Sequence, residues 1–300
     1  MTSILIKILS WWLPKRRYTQ WHCNILELLT AGFLFLFLPT ITSLVVYPIL
    51  DNALVISEPE EITDDSQSSL TELFKTDKSQ KEHPVIRLVQ TKNWTFIALG
   101  FYMACVLAPI NEELLFRGGL QSCLQGFLTL LCRKNIRMSA RNSRFIIAII
   151  SVTFPALFFA LIHYRSEESG SISMKDLIYN IFNACIAWTF FAGICFTYLF
   201  GVRQLRFRDL FGSWRELPGL IGAGVKWIWI IFPTFIIAII VNVIMILTKT
   251  HFVPDPIPLI PLALVFGFLY YRTQSVLPSM ALHFLFNFIN MSLAIMFLGL

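Results

Sequence analysis

The sequence predicts an all-α, polytopic membrane protein of seven to eight transmembrane helices with a central polar cavity. Of its 300 residues, 56% are hydrophobic and 14% are charged, whereas about 25% of the residues of a soluble domain are charged. The apolar residues form runs close to the roughly 20 residues that a spanning helix needs, and no run alternates as a strand would. The net charge of +6 comes with short basic clusters between the runs, which are typical of cytoplasmic loops and not of a nucleic-acid-binding surface.

The apolar runs predict the individual helices. The second run should end at Pro109, because proline has no N–H to donate within a helix, and a new helix should begin at Ile110 with two glutamates in its first turn. A proline-rich stretch, 254–261, predicts a kinked entry to the helix before the last. The expected spans cover 25–50, 94–108, 110–131, 145–163, 177–200, 220–247, the segment that ends at 272, and 277–298.

The segments between the runs predict the topology. Residues 51–93 are polar and net acidic and should form a surface loop. The basic stretches 133–144 and 202–219 should be cytoplasmic, because lysine and arginine are in excess on that side of the membrane. A basic N-terminus on the same side requires the segment 110–132 to be re-entrant or shallow; if this segment crosses fully, the N-terminus lies outside.

Charged side chains are concentrated in 111–119, where Glu112, Glu113 and Arg117 follow an apolar run. Each charge at the centre of a membrane helix costs about 2.5–3.5 kcal/mol on insertion scales, so these groups should pair, face a polar cavity or take part in chemistry. Glu113 and Arg117 are spaced i, i+4 and can pair on one helix face. Glu112 lies about 100° away around the helix and has no such partner, which makes it the first candidate for a functional residue.

Three further polar residues lie in or beside apolar runs. His163 ends the run 145–163, and His283 and Asn287 share one face of the last helix at i, i+4. A carboxylate beside an imidazole can hold and deprotonate a water molecule, and a second imidazole with an amide N–H can stabilise a developing oxyanion. The set therefore predicts hydrolysis of an amide bond.

Other chemistries fit these residues less well. One glutamate and two histidines could form a zinc site, but the sequence has no HExxH motif and the ligands would come from three helices. Serines and cysteines near the motifs, at 105, 122, 123 and 279, have no base at a spacing typical of nucleophilic catalysis. The six cysteines show no paired or metal-type spacing and are expected to be small buried hydrophobic residues.

Three motifs in this order carry a family resemblance: Glu112-Glu113-x-x-x-Arg117, Phe159-x-x-x-His163 and His283-x-x-x-Asn287. The chain resembles the CPBP family of intramembrane proteases, the CAAX-protease and bacteriocin-processing (Abi) group that includes the Rce1-type prenyl-protein endopeptidases. The segment from Phe266 to Leu277 also resembles the family's segment ahead of its last motif. The match covers roughly 95–165 and 260–290.

The resemblance implies a role for each motif residue. Glu112 would activate the water with His163 as its partner, while His283 and Asn287 would line the oxyanion side. The supporting residues would be Glu113, Arg117 and Phe159. The family's mechanism implies a metal-independent glutamic endopeptidase with no cofactor, and zinc is kept as the alternative.

The resemblance also implies the domain organisation of the chain, its partners and its location. Residues 94–300 would form the protease core with an inserted helix pair around 177–250, after an N-terminal interfacial segment, a first transmembrane helix and the acidic loop in 1–93. The expected partners are a membrane-associated peptide or protein substrate and the bilayer, but no nucleic acid, and the expected location is a bacterial plasma membrane. Two other functions stay open: a non-catalytic scaffold or immunity-type factor of the same fold, and a transporter or proton relay.

Overall fold

The structure, a computed structural model, describes residues 22–56, 92–135, 139–163, 174–229, 232–233 and 256–297. Within these ranges every regular element is a helix, which confirms the predicted all-α class. The helices are α1 (Ile25–Ile56), α2 (94–135), α3 (Ala140–Ile162), α4 (174–202), α5 (Phe207–Leu210), α6 (217–229), α7 (Pro256–Thr273) and α8 (Leu277–Phe297). The expected interfacial N-terminus, residues 57–91 of the expected acidic loop 51–93 and the run 220–247 beyond 233 lie outside the described residues. The predicted start of that loop at 51 is wrong, because α1 continues to Ile56.

Four of the described helices are long and apolar enough to cross a membrane, at Ile25–Leu50, Trp94–Cys132, Asn142–Ile162 and Asp176–Val202, and a shorter apolar helix covers Leu259–Thr273. Large apolar side chains are exposed on them, among them Leu26, Leu44 and Leu161. A surface of this kind is stable in lipid and unfavourable in water. The chain is therefore an integral membrane protein, and the total of seven to eight crossings stays a prediction.

The expected break at Pro109 is wrong, because α2 continues through this proline as one helix. Its consecutive parts are Trp94–Tyr102, the π-helical segment Met103–Leu107, the α-helical segment Ala108–Glu113, a second π-helical segment Leu114–Gln121, and Ser122–Asn135. In the first π segment the N–H of Ala108 bonds to Met103 O, five residues back. This wider turn directly precedes Pro109 and accommodates a residue that cannot donate in the α-helical pattern. Glu112 and Glu113 therefore lie within a long helix between two π segments, and not in the first turn of a new one.

The chain forms two compact units, each made of several segments. The first contains 1–32, 112–166 and 196–286, and the second contains 33–111, 167–195 and 287–300. In the first unit α3 packs along α7. One core cluster joins Phe116, Ala156, Phe159 and Ala263, and another joins Trp227 with Phe266, Leu269 and Leu282. The unit thereby holds the middle of α2 and the first part of α8 against α3, α6 and α7.

The second unit is built from most of α1, the first part of α2, most of α4 and the end of α8. Leu107 of α2 packs with Leu177, Ile181 and Cys185 of α4. Hydrogen bonds join α1 to α4: Asn183 Nδ2 donates to Pro39 O at 2.8 Å, and Tyr47 donates its hydroxyl to Asn180 Oδ1 at 2.6 Å. Side-chain amides of α4 thus hold a proline-containing helix by bonding to its polar groups.

Candidate active site

The buried polar centre of the first unit is formed around Glu112, which belongs to the short α-helical segment between the two π segments. Its Oε1 lies 3.7 Å from Nε2 of His163, and its Oε2 lies 3.8 Å from Nε2 of His283. Both distances are beyond direct hydrogen bonding but within reach of a small side-chain rotation. The structure thus brings together the acid and the two imidazoles, which come from α2, from the residue that ends α3, and from α8.

The second nitrogen of each imidazole identifies the tautomer. Nδ1 of His163 lies 2.8 Å from Phe159 O, and a carbonyl oxygen can only accept, so this Nδ1 carries the hydrogen. Nδ1 of His283 lies 3.3 Å from Oε1 of Glu113, and a carboxylate likewise only accepts. In the neutral rings both Nε2 atoms therefore present a lone pair to Glu112. Three acceptors that face one another need a proton donor between them, and water can supply two O–H groups.

Glu113 and Arg117 form the predicted i, i+4 ion pair, with Nε 3.3 Å from Oε2 and both side chains fully buried. The guanidinium also donates from Nη2 to Ala263 O at 3.0 Å. It lies over three phenylalanine rings, 5.3 Å from the centres of Phe159 and Phe266 and 5.9 Å from that of Phe116. A buried charge needs this kind of compensation from a counter-ion, a carbonyl and aromatic faces.

Two phenylalanine rings also shape the imidazole positions. Phe159 lies 4.3 Å from His163 and packs edge-on against His283 at 6.2 Å, measured between ring centres. Phe266 stacks on His283 at 5.0 Å with an interplanar angle of 27°. The sequence predicted Phe159 as a supporting residue but did not single out Phe266 as a contact of His283. Together the rings restrict the rotation of both imidazoles.

A polar stripe along α2, not predicted from the sequence, continues from the ion pair. It consists of Glu113, Arg117, Gln121 and Gln125, spaced by four residues and all buried. Gln121 Nε2 donates to Gly267 O at 2.8 Å, one turn of α7 beyond the carbonyl that Arg117 meets, and Gln125 Oε1 accepts from Gln274 Nε2 at 3.2 Å. A four-residue step overshoots an α-helical turn of 3.6 residues, and the wider turns of the π segment Leu114–Gln121 offset this drift. The four side chains therefore stay on one face of α2. Their hydrogen bonds fix the register of α2 against α7.

Asn287 belongs to the second unit. It lies one turn beyond His283 on α8, and its Nδ2 donates to Ala104 O at 2.7 Å. Ala104 lies in the first π segment of α2. The predicted oxyanion role of Asn287 stays a prediction.

Metal-binding and thiol chemistry were the alternatives for this set of residues. Within the described ranges, no group of three or more His, Cys, Asp or Glu side chains is arranged to hold a metal ion. All six cysteines are free, and Cys105 and Cys185 are buried. Burial and the nearby Glu27 charge raise the pKa of the Cys23 thiol to about 12, so this thiol stays protonated.

Ionisable side chains inside the helices of a membrane protein usually mark a functional site. The chain matches the model of the family described as "Type II CAAX prenyl endopeptidase Rce1-like" over residues 93–214 and 207–289. The matched segments cover about two thirds of the chain, and they include all seven predicted site residues. The chain therefore belongs to the Rce1-like family, a family of proteases. No curated protein and no solved structure matches it.

Proposed function

We propose that the chain is an intramembrane endopeptidase that cleaves a membrane-associated peptide or protein with a water molecule activated by Glu112 and His163. The observation that supports this proposal is the meeting of the Glu112 carboxylate with both Nε2 atoms, at 3.7 and 3.8 Å. Ionisable groups in the helices of a membrane protein are costly and therefore rare, and those that are present usually serve a function. A scaffold of the same fold has no need of this arrangement.

The proposed reaction uses the acceptors that face one another. A water molecule donates one hydrogen to the Glu112 carboxylate and the other to Nε2 of His163. Its oxygen attacks the carbonyl carbon of the scissile bond while Glu112 takes the proton. The C–N bond then breaks, and the protonated Glu112 passes this proton to the leaving nitrogen, so that the carboxylate is regenerated.

His283 stabilises the oxyanion in this scheme. Because its Nδ1–H faces Glu113, the ring can donate from Nε2 only as the imidazolium. The Glu113 carboxylate accepts from Nδ1–H and orients the ring, and Arg117 holds the carboxylate in place. A donor aimed at a developing oxyanion is worth a few kcal/mol of transition-state stabilisation.

The substrate class in this proposal follows the family description, which names a CAAX prenyl endopeptidase. A prenyl chain dissolves in the bilayer, so it would bring the attached peptide to the depth of a membrane-embedded site. The proposed substrate is therefore a peptide with a C-terminal prenylated CAAX sequence.

The test is cleavage of a farnesylated CAAX peptide by the purified protein in lipid vesicles. Replacing the acid (Glu112→Gln) or either imidazole (His163→Ala, His283→Ala) should lower kcat at least about 10²-fold, the usual contribution of a general acid–base group. Glu27→Gln is the matched control, since Glu27 pairs with Arg203 at 3.1 Å in the same unit, outside the centre. Cleavage at the native rate by folded Glu112→Gln protein would contradict the proposal.

A further inference from the structure

The connection between α4 and α6, residues 203–216, begins where a membrane-spanning helix ends. The candidate span Asp176–Val202 lies directly before it, and α6 begins at residue 217. The connection contains the short helix α5 and lies wholly within the first unit. A segment that directly follows a spanning helix lies at the level of the lipid headgroups.

Two aromatic side chains of this connection are stacked on each other and exposed. The rings of Phe207 and Trp214 lie 5.2 Å apart between their centres, with an interplanar angle of 9°. Trp214 is 76% exposed and Phe207 is 41% exposed. The chain turns between them at Gly212, whose φ of 102° is rarely adopted by a residue with a Cβ. Tryptophan is enriched at the membrane–water interface, where its ring meets apolar groups and its N–H meets polar ones.

The same connection has an excess of positive charge. Four arginines and two acidic residues give it a net charge of +2, four positive charges less two negative ones. The arginines are exposed and lie at positions 203, 206, 208 and 215. Arg203 pairs with Glu27, with Nε 3.1 Å from Oε1, so the arginines at 206, 208 and 215 are the ones considered for a ligand.

The two acidic side chains of the connection bond to its own backbone. Oδ2 of Asp209 accepts from the N–H of Arg206 at 2.9 Å, and Oε2 of Glu216 accepts from the N–H of Ser213 at 3.0 Å. Oδ1 of Asp209 also lies 3.9 Å from Nε of Arg208, but an exposed ion pair of this length contributes little. The acids therefore shape the connection and leave its exposed surface mainly cationic.

The connection is attached to the body of the first unit. The N–H of Val276 donates to Leu210 O at 3.2 Å, and the hydroxyl of Ser275 donates to Phe211 O at 3.0 Å. Leu210 and Phe211 are buried. Because these bonds hold the backbone in place, a ligand that binds here has little chain to order, and less of its binding free energy is lost.

We propose that residues 203–216 bind the headgroups of anionic phospholipids and so hold this face of the first unit at the membrane surface. The guanidinium groups of Arg206, Arg208 and Arg215 contact lipid phosphates, which arginine binds well, and the Phe207–Trp214 pair lies beside them at the interface. Charge selects an anionic lipid over a zwitterionic one, since each basic residue near a membrane surface raises affinity for anionic lipid about fivefold. The proposal does not depend on the peptidase function.

The test measures which lipid lies beside Trp214 in the full-length protein. The protein is placed in phosphatidylcholine vesicles in which a rising fraction of the lipid is replaced by brominated phosphatidylglycerol or by brominated phosphatidylcholine. Bromine on an acyl chain quenches the fluorescence of a tryptophan that it contacts. The Trp214 signal is the difference between native protein and Trp214→Phe, which keeps an aromatic ring beside Phe207. We expect the association constant for phosphatidylglycerol to be at least about threefold higher than that for phosphatidylcholine.

The triple variant Arg206→Gln, Arg208→Gln and Arg215→Gln removes the three charges and keeps the ring pair. It should lower the preference for phosphatidylglycerol at least about twofold, and Arg215→Gln alone serves if the triple variant does not fold. The matched control is Trp229, an exposed tryptophan of the same unit at the far end of α6, about 18 Å along that helix from residue 217. Its signal, measured with Trp229→Phe, should not respond to the arginine changes, because this separation exceeds the Debye length.

Three results would overturn the inference. The first is a preference below about threefold at Trp214 in the native protein, which would leave an acidic protein segment as the better occupant. The second is a preference that the loss of the arginines does not lower. The third is an equal change at Trp214 and Trp229, which would come from the net charge of the whole protein. The measurement needs no peptidase activity, so failure of the proposed function would be seen separately, in the cleavage assay.

Discussion

Nδ1 of His283 lies 3.3 Å from Oε1 of Glu113, so the second glutamate of the motif contacts an imidazole as well as an arginine. The sequence predicted the pairing of Glu113 with Arg117 but not this contact. Because Nδ1 is occupied, His283 faces Glu112 with Nε2 alone. In the proposed mechanism, Glu113 therefore acts on the site through the orientation of the His283 ring.

Replacing Glu113 by glutamine is expected to lower kcat at least about tenfold, because a carboxamide can present an N–H as well as an oxygen to Nδ1 of His283 and so fixes the orientation and tautomer of the ring less well than a carboxylate. The loss should appear in kcat and not in KM, because binding of the peptide does not depend on this contact. The measurement is cleavage of the farnesylated peptide per folded molecule, with Glu27→Gln as the control for loss of one carboxylate. Native kcat for Glu113→Gln would remove the role assigned to this residue.

Replacing Arg117 by methionine is expected to destabilise the protein by about 3–5 kcal/mol, because Glu113 is left as an uncompensated buried charge. The double variant Arg117→Met with Glu113→Gln removes both charges and should regain part of that stability without regaining activity. Thermal or denaturant unfolding in detergent measures the first effect, and peptide cleavage measures the second. If the double variant is no more stable than Arg117→Met alone, the ion pair is not the source of the loss.

Two glycines of α6 form a matched pair that tests how closely α6 packs against α8. A Cβ on Gly224 would meet the carbonyl oxygen of Pro278, at the start of α8, and the Cβ of Ala281 at 3.3 Å, whereas a Cβ on Gly222 would meet nothing within 4 Å. Gly224→Ala should cost about 1–3 kcal/mol, as overpacking does. Gly222→Ala should be neutral or stabilising, because alanine is the better helix former. Equal melting temperatures for the two variants would contradict the close contact.

Chelation separates the metal-independent mechanism from the zinc alternative. Activity should be unchanged after prolonged treatment with EDTA and with 1,10-phenanthroline followed by their removal, because the proposed water activation needs only Glu112 and His163. The control is a zinc peptidase treated in parallel. If cleavage is lost and added Zn²⁺ restores it, the two imidazoles and the acid would be zinc ligands.

A single crossing by α2 would decide the topology that the sequence left open. If each candidate span crosses once, residues 24, 139 and 215 lie on one side of the membrane and residue 176 on the other, which places both basic loops and the N-terminus together. The measurement is labelling with a membrane-impermeant thiol reagent after Asn24→Cys, Ser139→Cys, Asp176→Cys or Arg215→Cys, with the native cysteines replaced. Labelling of positions 139 and 176 from the same side would rule out this topology.

The site residues could be predicted because ionisable groups are costly in apolar helices and therefore few. Glu112, His163 and His283 stood out on that ground, and their order in the chain matched a known set of motifs. Phe266 could not be found in the same way, since the chain has 28 phenylalanines and an aromatic residue in a membrane helix carries no such signal. The sequence could not predict Ala263 O and Gly267 O as acceptors either, because every residue has a backbone carbonyl.

The course of α2 could not be predicted because proline normally ends or kinks a helix. Here the compensation comes from a local π turn and from Asn287, which is 183 residues away from Ala104 in the chain. Neither partner is visible in a local window of sequence. The error fell next to Glu112, where irregular helix geometry is often found in functional proteins.

The π segment Met103–Leu107 has a consequence for how this chain tolerates length changes. A π turn is equivalent to one extra residue in an otherwise α-helical stretch, and each residue of an α-helix turns the face by about 100°. Loss of one codon between 103 and 107 would therefore turn this part of α2 into a regular α-helix. Because the wider π turn absorbs its extra residue with little net rotation of the turns on either side, the earlier side chains of α2 would keep nearly the same direction relative to the turns that follow.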